Sequence, residues 1–162
     1  MVADYVVDSN VWAWVDKPIS QLSKVELQCL QACLEWLKEF VPSADKLVVD
    51  LTYKILQEYR NQIKKGGLAE QWLNKVETQP RNRKLVELQI EFDDDGYAVV
   101  PESLAMNDKA DRKFIAVALK DNPIPPIVNA SDTDWYKDQD MLKKGGIQVI
   151  ELCLDYIIWK VK

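Results

Sequence analysis

Short apolar runs alternate along the chain with longer segments of helical periodicity, and this alternation is what most constrains the fold. The runs are short, continuous and rich in Val, Ile and Leu, which is typical of buried strands. Four of them lie at 4–8, 46–49, 125–129 and 147–152. Because strands that are apolar throughout and separated by helices form parallel sheets covered on both faces, we expect a three-layer α/β/α sandwich. Its sheet should be mostly parallel, with four or five strands.

The helical segments carry their own start and stop signals. Segment 23–40 has apolar residues at helical spacing, begins with a capping box of Ser23 and Glu26, and is followed by Pro42. Further helices are predicted at 68–77, 110–121 and 134–144, and between the second strand and the KKGG at 64–67. The tail that follows the last predicted strand fits either a strand or a helix.

Length and composition indicate one domain over residues 1–162, because the chain can bury a substantial core and no linker divides it. Within it, segment 85–100 is predicted to be a hairpin or an insertion, owing to the turn sequence DDDG. The stretch 91–102 also nearly matches a calcium-binding EF-hand loop, but Pro101 would break the exiting helix. A hairpin turn therefore accounts for it better.

The expected location is the cytoplasm. No apolar run approaches the length of a membrane helix, and the start of the chain has no basic region followed by an apolar signal core. Cys29, Cys33 and Cys153 are odd in number and lack the spacing of a disulfide framework. They are predicted to be reduced thiols in a reducing compartment.

Carboxylates are the candidates for chemistry, because the chain contains no histidine and no glycine-rich phosphate loop. Asp8 and Asp132 follow strands whose carboxyl ends should meet at one edge of the sheet. Glu58 shares the apolar face of its helix, and Asp111 begins the buried face of another. A metal ion or a hydrogen-bond network would compensate such acids. Helix capping is the alternative for the three aspartates, and a position at a helix boundary is the alternative for Glu58.

Four segments together resemble the PIN-domain family, whose members are small metal-dependent nucleases that mostly cut RNA. They read VVDSNVW near the start, ILQEYRN after the second strand, NDKADRKFIAVAL, and IVNASDTDW. Their order and spacing fit across about 150 residues. The third is the most specific, because family members often show two acids three residues apart before an apolar helix. The chain departs from the family in a longer segment 80–107 and in Asp50, where a small polar residue is expected.

The resemblance implies the identity of the site and its cofactor. It implies Asp8, Glu58, Asp111 and Asp132 as the catalytic and metal-binding acids, with Asp134 as a further ligand and Asp108, Ser9 and Asn10 as near neighbours. Oxygen ligands of this kind suit Mg²⁺ or Mn²⁺. The implied activity is an endoribonuclease, of the kind that includes toxins of toxin–antitoxin pairs. RNA is then the substrate, and an antitoxin protein and a second copy of the chain are candidate partners.

A basic stretch could serve as a track for RNA. From Arg60 to Lys84 the chain holds seven Lys or Arg against two acids, a net charge of +5 in a chain whose net charge is −5. Lys64, Lys65, Arg81 and Arg83 are the predicted RNA contacts. A solvated helical face is the alternative.

Two other functions remain open from the sequence. One is a catalytically idle PIN-like module that binds RNA or protein. The other is a metal-dependent phosphohydrolase in which Asp132 and Asp134 act with Glu58.

Overall fold

A five-stranded parallel sheet forms the centre of the computed structural model, which describes residues 2–79 and 84–162. Its strands are β1 (Asp4–Val7), β2 (Lys46–Asp50), β3 (Leu85–Leu88), β4 (Ile127–Asn129) and β5 (Val149–Glu151). They lie in the order β3-β2-β1-β4-β5, and each neighbouring pair is parallel. The predicted parallel sheet is therefore confirmed, and β3 is the strand that supplies its fifth member.

Eight α-helices surround the sheet in the described part of the chain. They are α1 (Ser9–Trp14), α2 (Lys24–Phe40), α3 (Lys54–Gln62), α4 (Leu68–Thr78), α5 (Arg112–Lys120), α6 (Thr133–Lys137), α7 (Gln139–Lys144) and α8 (Leu154–Val161). This arrangement is consistent with the expected three-layer sandwich. Among the residues described, none of these helices combines the length and the apolar character that crossing a membrane requires.

The helix boundaries follow the local signals, with two differences. The capping box of Ser23 and Glu26 starts α2 as predicted. The single helix predicted at 134–144 is instead two short helices that meet at Asp138, and the tail that fitted a strand or a helix is the helix α8. A single residue, Asp8, separates β1 from α1.

Segment 85–100 contains both a strand and a hairpin. Its first part is β3, which pairs in parallel with β2 along the edge of the sheet. The rest turns back on itself through one antiparallel bridge between Phe92 and Ala98. At the turn, the Asp93 carboxylate accepts the backbone N–H groups of Asp95 and Tyr97, and Gly96 has a positive φ of 86°. Residues 92–98 thus form a short hairpin that follows β3.

A disulfide corrects the prediction that all three cysteines are reduced. Cys29 on α2 is bonded to Cys153, which immediately precedes α8, while Cys33 is a buried free thiol. The two bonded cysteines are 124 positions apart, and α2 and α8 pack against each other. Spacing along the chain gives no sign of this contact, because it arises only when the two helices come together.

Asp50 has a structural role that the sequence did not indicate. It ends β2, is fully buried, and accepts the backbone N–H groups of Lys54 at 2.9 Å and Ile55 at 2.8 Å. The Thr52 hydroxyl also donates to it at 2.6 Å. These bonds satisfy the first turn of α3, whose preceding residue Tyr53 has a positive φ of 63° and provides no side-chain cap.

Candidate metal centre

The acids converge where the sheet changes its direction of growth. From β1 the sheet extends to β2 and β3 on one side, and to β4 and β5 on the other. Such a switch point, beyond the carboxyl ends of the strands, is where parallel α/β sheets bind ligands. Asp8 follows β1, Asp132 lies three residues after β4, and Asp111 precedes α5. One carboxylate oxygen from each lies within 4.8 Å of the other two.

A second group of acids shares one member with the first. Oxygens of Asp108, Asp111 and Asp134 also lie within 4.8 Å of one another. Asp111 and Asp8 are buried, Asp132 and Asp134 are half-buried, and Asp108 is exposed. Asp108 and Asp134 are therefore the more exposed members of the second group, and Asp111 belongs to both groups.

Asp8 is held by hydrogen bonds at both oxygens. Its Oδ1 accepts the Asn10 backbone N–H at 3.1 Å and the Ser9 hydroxyl at 3.3 Å. Its Oδ2 accepts the indole N–H of Trp135 at 2.7 Å. Burial raises the pKa of Asp8 to about 6, the hydrogen bonds oppose that rise, and the charges of Asp132 and Glu58 add to it.

Asp111 has less compensation than Asp8. The residue is only 7% exposed, and its Oδ2 is buried without a hydrogen-bond partner in the described structure. Burial raises its pKa to about 10, and the nearby charges of Asp8 and Asp132 contribute to the rise. A buried acid that lies beside two other carboxylates and has one oxygen without a hydrogen-bond donor is a position that a cation would satisfy.

Asparagines connect the turns that carry Asp8 and Asp132. Asn10 donates its side-chain amide to Asn129 Oδ1 at 2.9 Å and accepts the Ala130 N–H at 2.9 Å. The Asn129 amide in turn donates to the Asp132 backbone carbonyl at 2.9 Å. This network fixes the turn after β4 relative to the turn after β1, so Asn10 acts through its neighbours.

Glu151 belongs to the same network and was missed by the sequence reasoning. It ends β5, and its Oε2 accepts the Asn129 amide at 2.9 Å. Burial raises its pKa to about 7, partly offset by this hydrogen bond, and the charges of Asp132 and Asp8 raise it further. The signal was present, since Glu151 is another acid at the carboxyl end of a strand.

Glu58 lies outside both groups of converging oxygens. Its carboxylate instead accepts a hydrogen bond from the Lys113 ammonium at 2.7 Å, and this ammonium also donates to the Ala110 carbonyl. Glu58 is nevertheless close enough for its charge to raise the pKa of Asp8. It flanks the centre and is neutralised by a lysine.

Helix capping, the alternative interpretation, is also observed for Asp8 and Asp132, but Asp111 makes no side-chain cap hydrogen bond at the start of α5. Asp8 Oδ1 caps α1, Asp132 Oδ1 accepts the Asp134 N–H at 2.9 Å at the start of α6, and Asp108 Oδ1 accepts the Ala110 N–H at 3.0 Å. In each case one oxygen caps and the other is left for a different partner. Capping and convergence are therefore compatible.

The basic stretch is not a uniform surface. Lys64 and Lys65 are exposed, whereas the predicted contacts Arg81 and Arg83 lie outside the described residues. Arg60 is paired with Glu77. Lys84 is buried, with its ammonium donating to the carbonyls of Phe40 at 2.6 Å and Ser43 at 2.7 Å. Lys84 thus ties β3 to the end of α2 and is not available to a ligand.

The oxygen atoms of the acid centre make it suitable for a hard divalent cation. The converging atoms are carboxylate oxygens, the ligand type that Mg²⁺ and Mn²⁺ prefer. One of the three acids, Asp111, also has an oxygen, Oδ2, that is buried without a hydrogen-bond partner in the described part of the chain. Compared with known proteins, the chain matches no family model, no curated protein and no solved structure. The resemblance to PIN-domain nucleases therefore stays a prediction.

Proposed function

We propose that this protein is a PIN-like, Mg²⁺- or Mn²⁺-dependent endoribonuclease. The observation that carries the proposal is the convergence of carboxylate oxygens from Asp8, Asp111 and Asp132, together with an Asp111 oxygen that is buried without a hydrogen-bond partner among the described residues. A second group that shares Asp111 extends the donor set to Asp108 and Asp134. Such a set of oxygens is suited to phosphodiester hydrolysis, which needs no nucleophilic side chain.

The residues of the centre would hold and orient the cation. Asp8, Asp111 and Asp132 would be its ligands, with Asp134 on the side of the second group. When bound, the cation supplies Lewis-acid activation of water and neutralises charge that develops on the phosphate and the leaving oxygen.

The surrounding side chains prepare the ligands for that task. Trp135 and Ser9 fix the plane of the Asp8 carboxylate through their hydrogen bonds. Asp111 holds a proton while no cation compensates it, and it gives up that proton when it becomes a ligand. Ser9 and Asn10, proposed neighbours of the site, therefore act as positioning residues.

Cleavage of a single-stranded RNA in Mn²⁺ tests the proposal. We expect Asp8→Asn and Asp111→Asn each to abolish cleavage while leaving the circular dichroism spectrum unchanged. Asp155→Asn, an exposed acid in the first turn of α8, is the matched control and should cleave as the wild type does. Near-wild-type cleavage by either site variant would remove that acid from the centre.

The same assay separates the other two functions. Mn²⁺ binding without cleavage of any RNA favours the idle module, and turnover of p-nitrophenyl phosphate favours the phosphohydrolase. An antitoxin and a second copy of the chain stay proposed partners, and Lys64 and Lys65 stay proposed RNA contacts. A cytoplasmic location also stays a proposal. The Cys29–Cys153 disulfide removes one argument for it, which was the expectation that all three cysteines are reduced.

A further inference from the structure

A cavity of about 300 Å³ lies beside the acid centre. Its walls come from three elements: α3, the hairpin at 92–98, and the start of α5. Its chemically distinctive lining residues are Lys54, Glu58, Phe92, Tyr97, Lys109 and Lys113. Ligand pockets range upward from about 300 Å³, so this cavity suits one small unit of a ligand and not a long segment of a polymer.

The lining carries an excess of positive charge. Three lysines and one acid line the cavity, which leaves a net charge of +2. Lys113 is paired with Glu58, but within the described residues neither Lys54 nor Lys109 forms a salt bridge. Lys54 donates to the Gly96 carbonyl at 3.2 Å, and this bond holds its ammonium against the hairpin. Two ammonium groups thus remain for an anion.

Aromatic rings stand next to both of these ammonium groups. Lys54 Nζ lies 4.0 Å from the centroid of the Phe92 ring, and Lys109 Nζ lies 5.8 Å from that of Tyr97. The Tyr97 residue is 37% exposed, at the turn of the hairpin. A lysine beside an accessible aromatic ring is the combination that binds a phosphate together with an unpaired base.

The cavity and the acid centre share a wall. Glu58 lines the cavity, and its charge reaches Asp8. Lys109 and Ala110 line it too, and they are the two residues between Asp108 and Asp111. The cavity therefore lies directly beside the acid centre.

We propose that the cavity binds the phosphate and the base of the nucleotide next to the scissile bond in single-stranded RNA. The inference rests on the proposed nuclease function. Lys54 and Lys109 bind the phosphate, and Tyr97 stacks on the base. The hairpin at 92–98 thereby selects for unpaired RNA, because a base in a duplex has no free face to offer.

Binding in chelator tests the cavity without any cleavage. The probe is a short fluorescein-labelled single-stranded RNA of mixed sequence, with its Kd measured by anisotropy in EDTA. We expect the double variant Lys54→Gln/Lys109→Gln to raise Kd at least tenfold. Its slope of log affinity against log salt should be smaller by about 1.4, which is two lost contacts at about 0.7 each for single strands. The control Lys24→Gln/Lys38→Gln removes the same charge from exposed positions on α2.

The tyrosine variants test the stacking contact separately. Tyr97→Ala should raise Kd for the single strand about tenfold without changing the salt slope, and Tyr97→Phe should restore binding. Binding of a duplex of the same sequence should be unchanged by Tyr97→Ala. Thermal melts check that each variant is folded. If Tyr97→Ala does not fold, the Kd of Tyr97→Phe still decides the test.

The outcomes distinguish the cavity from the acid centre. If Lys54→Gln/Lys109→Gln binds no more weakly than its control while Asp111→Asn abolishes cleavage, the cavity proposal is overturned and the nuclease stands. If the wild type cleaves no RNA in Mn²⁺ but the lysine and tyrosine variants lose binding, the nuclease falls and the cavity remains a nucleotide site.

Discussion

Asp111 is the residue whose environment opposes its charge most strongly. It is 7% exposed, one of its oxygens has no donor, and two other carboxylates lie beside it. In a site with no cation, the folded chain must either bury a negative charge or bind a proton there. The residue therefore lowers the stability of the metal-free fold, as is common where function has displaced stability.

Replacing Asp111 by asparagine should relieve this opposition. In EDTA we expect Asp111→Asn to be more stable than the wild type by on the order of 1 kcal/mol, because an amide need not be ionised. Added Mn²⁺ should reverse the ranking, since only the wild type keeps every ligand and binding stabilises the folded state. Thermal melts with chelator and with Mn²⁺ measure both effects, with Asp155→Asn as the control. An asparagine variant that is less stable in chelator would make Asp111 a structural residue.

The pH dependence of stability should carry the same signature. The pKa of Asp111 is raised to about 10, whereas an unfolded aspartate has a pKa of about 3.9. Between these values the folded chain holds a proton that the unfolded chain has released, so the free energy of unfolding of the metal-free protein falls as the pH rises. Asp8 and Glu151 contribute in the same direction, but only up to a pH of about 6 and about 7.

Urea unfolding in EDTA at about pH 6 and about pH 8.5 checks this dependence. Above about pH 7 only Asp111 of these three acids still contributes, so the stability of the wild type should continue to fall while that of Asp111→Asn levels off. Equal slopes for the two proteins over this range would contradict the raised pKa of Asp111.

At the scale of elements, helix α3 depends on an acid from the strand before it. Its first turn is capped by Asp50, because Tyr53 at its start has a left-handed backbone and offers no cap. The next helix uses the same device, since Asp16 accepts the N–H groups of Leu68 and Ala69 at the start of α4. An acid outside the helix thus caps each of them: Asp50 is near α3 in sequence, whereas Asp16 is remote from α4.

Removing Asp50, the buried cap of α3, should lower the free energy of unfolding more than removing Asp16, the half-buried cap of α4. We expect Asp50→Ala to destabilise the fold by about 2 kcal/mol, because it leaves buried N–H groups without an acceptor. Asp16→Ala should cost about 1 kcal/mol or less, since water replaces it more easily. The rise in Tm caused by Mn²⁺ should be the same for Asp50→Ala as for the wild type. A reduced Mn²⁺ response would place Asp50 within the acid centre.

For the whole molecule, local patterns predicted the layers and most of the acid centre. Apolar runs and helical spacing are properties of a few consecutive residues, and they identified four of the five strands and the positions of Asp8, Asp111 and Asp132. Contacts between distant segments were not predictable in this way. The ion pair of Glu58 with Lys113 and the bond of Glu151 to Asn129 are of that kind.

The disulfide is the distant contact with the largest expected effect on stability. It closes a loop across 124 positions, and disulfides typically stabilise by about 2–4 kcal/mol. We expect a reductant to lower the Tm of the wild type and of Cys33→Ser alike, and to leave that of Cys153→Ser unchanged. Titration of the denatured, unreduced wild type should find one thiol, Cys33. Three titratable thiols would restore the prediction of a fully reduced protein.

The hydrogen bond from Trp135 to Asp8 spans 127 positions, and this span sets the time at which the acid centre can form. A ribosome that has translated the chain only as far as residue 126 has already delivered β1, β2 and β3, but not β4, Asp132 or Trp135. At about 5–20 residues per second, the remaining residues need several more seconds. Until then β1 lacks its neighbour β4, and Asp8 lacks Asp132 and Trp135. The acid centre is therefore incomplete for most of the period of synthesis.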